Sequence, residues 1–152
     1  MTEDTILLAS LDEALALGAK LAGVVGPGDV VALSGPLGAG KTSIARGLLA
    51  ALGLEGEAPS PSFAIVQPYD VPEVRLPVLH VDLYRIDDPE EAEELGLEDA
   101  RIDSLLLVEW PERLGEGYWR DALWLTLDVA ADGTRRLTAR VPAAWEGRWP
   151  LT

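Results

Sequence analysis

The sequence predicts an α/β fold: a P-loop nucleotide-binding domain whose mixed parallel and antiparallel sheet is flanked by helices. Three observations carry that reading. The glycine-rich run Gly35-Pro36-Leu37-Gly38-Ala39-Gly40-Lys41-Thr42 lies between an apolar, β-branched stretch and a helical one, which is where a phosphate-binding loop must sit. Leu105-Leu106-Leu107-Val108 is a short unbroken apolar run of the kind buried on both faces in a parallel sheet, and it ends in Glu109. Trp124–Val129 and Arg136–Val141 alternate around Asp132-Gly133, the mark of a closing β-hairpin. A chain of 152 residues is long enough for a sheet-centred core, and 1–152 is read as a single P-loop domain.

In chain order, Ile6–Ala9 is a short apolar run suited to an edge strand. Ser10-Leu11-Asp12-Glu13 follows as a capping box, with the serine hydroxyl and the glutamate three residues on able to satisfy free N–H groups at a helix start. Leu11, Leu15, Ala19 and Ala22 recur near the helical period, so a helix is expected to about Val25, where Gly26-Pro27-Gly28-Asp29 stops it. Val30–Leu33 is the strand before the phosphate loop, and Ser43–Leu52 the helix after it. Gly53–Pro61 is a loop by its Gly, Pro and Glu content. Phe63–Tyr69 and Pro77–Tyr84 read as an antiparallel pair. Asp88-Pro89-Glu90 opens a further helix, with proline at its first position, and Gly96 closes it. The sheet is therefore expected to be parallel at the phosphate-loop strand and antiparallel elsewhere.

Composition narrows the function classes. A formal net charge of −14 argues against direct contact with DNA, RNA or an anionic membrane, since phosphate backbones are held by many lysines and arginines. With no cysteine, disulfides, cysteine-ligated zinc and thiol catalysis are excluded, and the single histidine, His80, cannot build a histidine-based metal centre. Met1-Thr2-Glu3-Asp4-Thr5 lacks the basic and apolar regions of a signal peptide, and no apolar stretch approaches the about 18 residues of a membrane span, so a cytoplasmic protein is expected.

The loop chemistry follows from its residues. Gly35, Gly38 and Gly40 permit backbone conformations that let successive N–H groups turn around phosphate oxygens at the positive end of a helix. Lys41 would neutralise the β and γ phosphates, Thr42 would offer its hydroxyl to Mg²⁺, and Ser43 completes the cradle. Hydrolysis needs more: an acid at a neighbouring strand end to support the metal and a group to orient water. Asp82 and Glu109 both emerge at strand carboxyl ends, where open α/β sheets hold ligands, and spacing leaves open which supports the metal and which aligns the water. Ser60-Pro61-Ser62-Phe63 reads as an ordinary turn, with a hydroxyl able to reach the γ-phosphate as the functional alternative. His80 shares a sheet face with Val78 and Asp82 and is read as a packed or hydrogen-bonded histidine. Trp110 either covers the nucleotide, meets a partner or caps the core. Tyr118, Trp119, Trp124, Trp145 and Trp149 are expected to pack the far end of the sheet, and Arg85 and Arg113 read by default as surface arginines, with approach to the phosphates as the functional alternative.

Taken together, the Gly-Pro-Leu-Gly-Ala-Gly-Lys-Thr loop, the Ser-Pro-Ser-Phe turn, His80-Val81-Asp82-Leu83-Tyr84-Arg85 and Val108-Glu109-Trp110 resemble the bacterial TsaE (YjeE) family from about Ser10 to Arg113. From Gly115 onward no diagnostic motif is found. The resemblance implies a small ATPase that works as an accessory to the TsaD and TsaB subunits in making threonylcarbamoyladenosine in tRNA, TsaD being the metal-dependent transferase and hydrolysis resetting the complex between turnovers. Contact with tRNA would be indirect, through those partners. Carried onto this chain, it implies Lys41 and Thr42 for phosphate and Mg²⁺, Asp82 and Glu109 for metal and attacking water, and Trp110 beside nucleotide or partner. The helix start near Ser10 at the adenine side and Ser62 at the switch-like turn are the further nucleotide contacts it implies, beside Arg113, which is a candidate from its position alone. Ser62 stands where the family usually has threonine, which keeps the hydroxyl and loses the methyl. The chain lacks an Asn-Lys-x-Asp element that would read guanine, which favours ATP.

Two rival readings share the loop. A small-molecule or nucleoside kinase needs an acceptor pocket and an arginine-bearing lid, and the twelve basic residues here show no such cluster. A non-catalytic module would bind nucleotide only to change shape.

Overall fold

A computed structural model describes residues 2–36, 38–56 and 66–149. Its centre is a seven-stranded sheet of β1 (Thr2–Leu8), β2 (Val30–Ser34), β3 (Val66–Tyr69), β4 (Val78–Asp82), β5 (Leu105–Glu109), β6 (Leu123–Val129) and β7 (Arg135–Val141), in the order β1-β7-β6-β2-β5-β4-β3. The helices are α1 (Leu11–Leu21), α2 (Lys41–Ala51) and a single turn, α3 (Leu97–Ala100), supplemented by 3₁₀ segments.

The apolar runs sit where burial on both faces is available. β2 and β5 are hydrogen-bonded neighbours in the middle of the sheet, and Leu105–Glu109 is buried throughout. Strand pairing departs from expectation in one respect. β2 pairs in parallel with both β5 and β6, and β4 also pairs in parallel with β5, so four parallel strands carry the sheet, with antiparallel additions only at its margins. The β3–β4 and β6–β7 pairs are antiparallel as expected, and β1 is an edge strand, longer than its apolar run, laid against β7.

Alternation along the strands sorts their side chains into two cores. Val31, Leu33, Leu105, Leu107 and Val78 face α1 and α2, meeting Leu17, Leu21, Ile44, Leu48 and Leu49. Val30, Ala32, Val81, Leu106 and Val108 face the other layer, where Leu83, Ile86, Leu97 and Trp119 cover them.

Glycine fixes how α1 meets α2. A Cβ on Gly18 would fall 2.0 Å from the Ile44 carbonyl oxygen, and one on Gly47 would fall 2.0 Å from that of Leu15. Neither position has room for a side chain, so the two helices touch through backbone.

Several element bounds shift. α1 ends at Leu21 with Ala22 as its cap, earlier than Val25, because Gly23 and the turn that follows withdraw the backbone from the helical ladder. α2 begins at Lys41 and ends at Ala51 in place of Ser43–Leu52. The expected helix after Asp88 is a 3₁₀ segment, Pro89–Leu95, and Gly96 closes it in the left-handed region at φ 65. Only Ala92 of that segment is buried, so no apolar stripe draws it into a full α-helix against the sheet. The aromatic expectation is also corrected. Trp119 and Trp124 belong to one core and Trp145 to the other, while Tyr118 stays 39% exposed against Trp119.

Candidate active site

The starts of α1 and α2 receive different chemistry from their sequences. At α1 the Ser10 hydroxyl accepts from the Glu13 N–H at 3.3 Å, the Glu13 carboxylate accepts from the Ala9 N–H, and Asp12 and Glu13 place acid in the first turn. That helix end is closed by its own side chains. At α2 the cap is Gly40, at φ 115, with no side-chain hydrogen bond and no acid in the first turn. Its free N–H groups and its partial positive charge are left for an anion.

Two contacts from the antiparallel side shape the phosphate loop. Gly35 sits at φ 137 against β6, where a Cβ would come within 2.4 Å of the Leu127 carbonyl oxygen, so only glycine fits. Arg135, at the start of β7, donates through Nε to the Ala39 carbonyl at 2.9 Å and through Nη1 to the Gly133 carbonyl at 3.1 Å. Carbonyl and N–H point opposite ways across a trans peptide, so anchoring Ala39 oxygen turns the Gly40 N–H away from the guanidinium. Sequence reading missed Arg135. Within the loop Pro36 and Gly38 are exposed or nearly so, Ala39 and Gly40 are buried, and Ser43 is half-buried on α2. Leu37 and Ser62 lie outside the described residues.

The acids arrive by strand register. β4 and β5 run in parallel with Asp82 opposite Glu109, and both side chains leave on the face that α2 covers. Thr42, in the first turn of α2, donates its hydroxyl to Glu109 Oε1 at 3.2 Å. His80 Nε2 lies 2.6 Å from Glu109 Oε2. His80 is 0% exposed and Glu109 3%, so this is a buried carboxyl group held by two hydrogen bonds. Burial raises the Asp82 carboxyl above its usual range, as does the neighbouring Glu109 charge, against a 2.9 Å hydrogen bond from the Tyr84 N–H.

Lys41 is buried at 4% exposure, and desolvation holds its ammonium below the ordinary lysine value despite Glu109, Glu112 and Asp82 nearby. Its Nζ donates to the Gly35 carbonyl at 2.5 Å and sits 3.7 Å from the centre of the Trp110 ring. Trp110 reaches it because the strand ends there: its φ of 60 is the one positive value outside glycine among the described residues, and its N–H makes the last bond to Leu33 oxygen. Tyr84 packs on Trp110 with ring centres 4.9 Å apart, and Arg113 lies 5.8 Å from the same ring. Arg113 thus borders the site from an exposed position, and Arg85 is exposed as well. Ser10 borders the loop through Leu11, whose Cδ2 would lie 3.5 Å from a Gly40 Cβ, while its hydroxyl serves the α1 cap.

The donors suit magnesium. Thr42, Glu109 and Asp82 are hard oxygen groups, and nucleotide-bound Mg²⁺ takes one or two carboxylates with phosphate oxygens and water in preference to an all-protein cage. No cluster of three or more His, Cys, Asp or Glu side chains fit to hold a metal alone exists among the described residues. No helix among them is long and apolar enough to cross a membrane.

Comparison with known proteins agrees with this geometry. The family model for threonylcarbamoyl adenosine biosynthesis protein TsaE matches residues 8–137. The tRNA threonylcarbamoyladenosine biosynthesis protein TsaE of Streptomyces coelicolor is 41% identical over 127 residues, covering 80% of this chain and 86% of that protein. Its namesake in Bacillus subtilis is 35% identical over 84% of this chain and 78% of its own length. The crystal structure of Bacillus subtilis YdiB superposes with a TM-score of 0.76 at 29% identity, covering 91% of this chain and 84% of that one. With its phosphate loop, its open α2 start and a sequence match spanning both acids, this chain belongs to the TsaE family of threonylcarbamoyl adenosine biosynthesis proteins.

Proposed function

We propose that the protein is a Mg²⁺-dependent ATPase of the cytoplasm that serves threonylcarbamoyladenosine formation in tRNA as an accessory to a TsaD–TsaB transferase, reaching tRNA only through those partners. The observation that carries this reading is the 3.2 Å contact between Thr42 and Glu109 beneath an uncapped helix start that also bears Lys41. A loop used only to bind an anion needs no buried carboxylate facing its hydroxyl; a hydrolase does.

The backbone N–H groups of the loop and the start of α2 hold the phosphates. Lys41 exchanges the Gly35 carbonyl for phosphate oxygen, a charge-assisted bond stronger than the one it replaces. Mg²⁺, when bound, would supply positive charge that offsets the charge developing as the terminal phosphate bond breaks. Thr42 and Glu109 are the residues that would hold it, since the pair already faces one another. Asp82, beside Glu109 and not bonded to Thr42, aligns the attacking water. Trp110 and Tyr84 keep bulk water from the Lys41 side. Arg113 borders the phosphates, and Ser62 is assigned to the γ-phosphate on its sequence motif.

The test is phosphate release measured alone and with purified TsaD and TsaB, for the natural chain and for Glu109→Ala. Stimulation by the partners is expected, with release reduced about a hundredfold or more in the variant while ATP still binds. Transfer of labelled phosphate to a nucleoside or alcohol, or release unaltered by Glu109→Ala, overturns the proposal.

A further inference from the structure

We infer that His80 is a positioning residue that fixes the Glu109 carboxylate, pinning one oxygen so that the other is presented to Thr42; this rests on the role proposed for Glu109. His80 stands in mid-strand, opposite Leu107 on β5 and Gln67 on β3, on the face that α2 covers. Its Nε2 lies 2.6 Å from Oε2, while Thr42 reaches Oε1. An ionised carboxylate only accepts, so the hydrogen of this bond belongs to Nε2. The other ring nitrogen is telling. Nδ1 is buried and without a hydrogen-bond partner among the described residues, so none of them accepts a second hydrogen from the ring.

A side chain present for packing alone would be better apolar, because an unpaired buried nitrogen is unfavourable. The contact that offsets it is the one to Glu109. Glutamate has three rotatable bonds, and an unsupported carboxylate between β4 and α2 could turn either oxygen toward Thr42 or swing toward Asp82. With Oε2 held, the carboxylate plane and the facing oxygen are set before any ligand arrives. This is how outer groups commonly orient a metal-facing carboxylate.

His80 is the only histidine in the chain, so its ring can be observed without overlap. Nitrogen-15 NMR of the full chain without nucleotide or metal at neutral pH should show Nε2 protonated and Nδ1 bare, with the Nε2 hydrogen far downfield, slow to exchange, and displaced in Glu109→Ala. A hydrogen on Nδ1, or an Nε2 hydrogen exchanging as in free imidazole, overturns the inference. In partner-stimulated hydrolysis, His80→Leu should raise the Mg²⁺ concentration for half-maximal rate by roughly tenfold or more. His80→Gln, whose amide can donate from a similar position, should restore most of that loss, and metal-free ATP affinity should be equal in all three proteins. If His80→Leu keeps the natural Mg²⁺ requirement while Glu109→Ala abolishes hydrolysis, the positioning role fails and the reading of Glu109 stands. If Glu109→Ala hydrolyses normally, the reading of the site fails first. Should His80→Leu not fold, the NMR result and His80→Gln decide.

Discussion

The two long helices of this chain lie side by side, yet their starts are opposites. α1 is capped at its start: the Ser10 hydroxyl accepts from the Glu13 N–H, and Asp12 and Glu13 offset the positive helix end. α2 begins at a glycine with positive φ, carries Lys41 and Thr42 in its first turn, and has no side-chain cap. A helix start that satisfies itself is scaffold. One that is left bare, with a cation beside it, marks where something else must complete the hydrogen bonds.

Lys41→Ala tests the open start most severely. Losing a buried, charge-assisted phosphate bond should weaken ATP binding by about a hundredfold, as read by equilibrium titration, while the melting temperature shows the fold retained. Binding like that of the natural chain would mean the bare helix end is not the phosphate site.

Ser10→Ala tests the closed start. Loss of an N-cap hydroxyl should lower unfolding free energy by about 1 kcal/mol in a urea titration, with ATP affinity altered by less than about tenfold. A larger change in affinity would show that α1 also belongs to the binding site, and the contrast between the helices would narrow.

Asp82→Asn gives the smallest effect and the finest resolution. The half-buried carboxyl has its folded pKa above the ordinary 3.8, so between those values the native chain binds more protons than the unfolded one. Stability from this group therefore falls as pH rises through that window and stays lower above it. An asparagine side chain at this position cannot ionise, so the variant should melt higher than the natural chain at neutral pH, and the difference should vanish at acid pH. A difference of the opposite sign would mean that the Tyr84 N–H and Lys41 outweigh desolvation at Asp82.

Much of this was legible in the residues because it is local. The capping box, the glycine spacing, the Asp132-Gly133 turn and the apolar run before Glu109 each declare themselves within a few positions. Pairing between distant strands does not. That β4 lies parallel to β5 depends on a crossover through the 3₁₀ and α3 segments, and nothing inside Val78–Asp82 states it. The candidate acids were found by their position at strand ends, but what sets them apart, the hydrogen bonds of Thr42 and His80 to Glu109, emerges only in three dimensions. Arg135 was invisible for a simpler reason: an arginine opening a strand looks like any surface arginine until the hairpin brings it to the Ala39 carbonyl. The 3₁₀ form of Pro89–Leu95 was likewise hidden, since a proline-led acidic stretch starts both helix types alike.

The paired glycines Gly18 and Gly47 have a mechanical consequence. With backbone set directly against backbone at Gly18 and Gly47, the seam between α1 and α2 has at those two points no pliant side chain to take up relative motion. Any movement of α2 would therefore be passed on to α1 as between meshed gears, and from the start of α1 to the sheet margin where β1 ends.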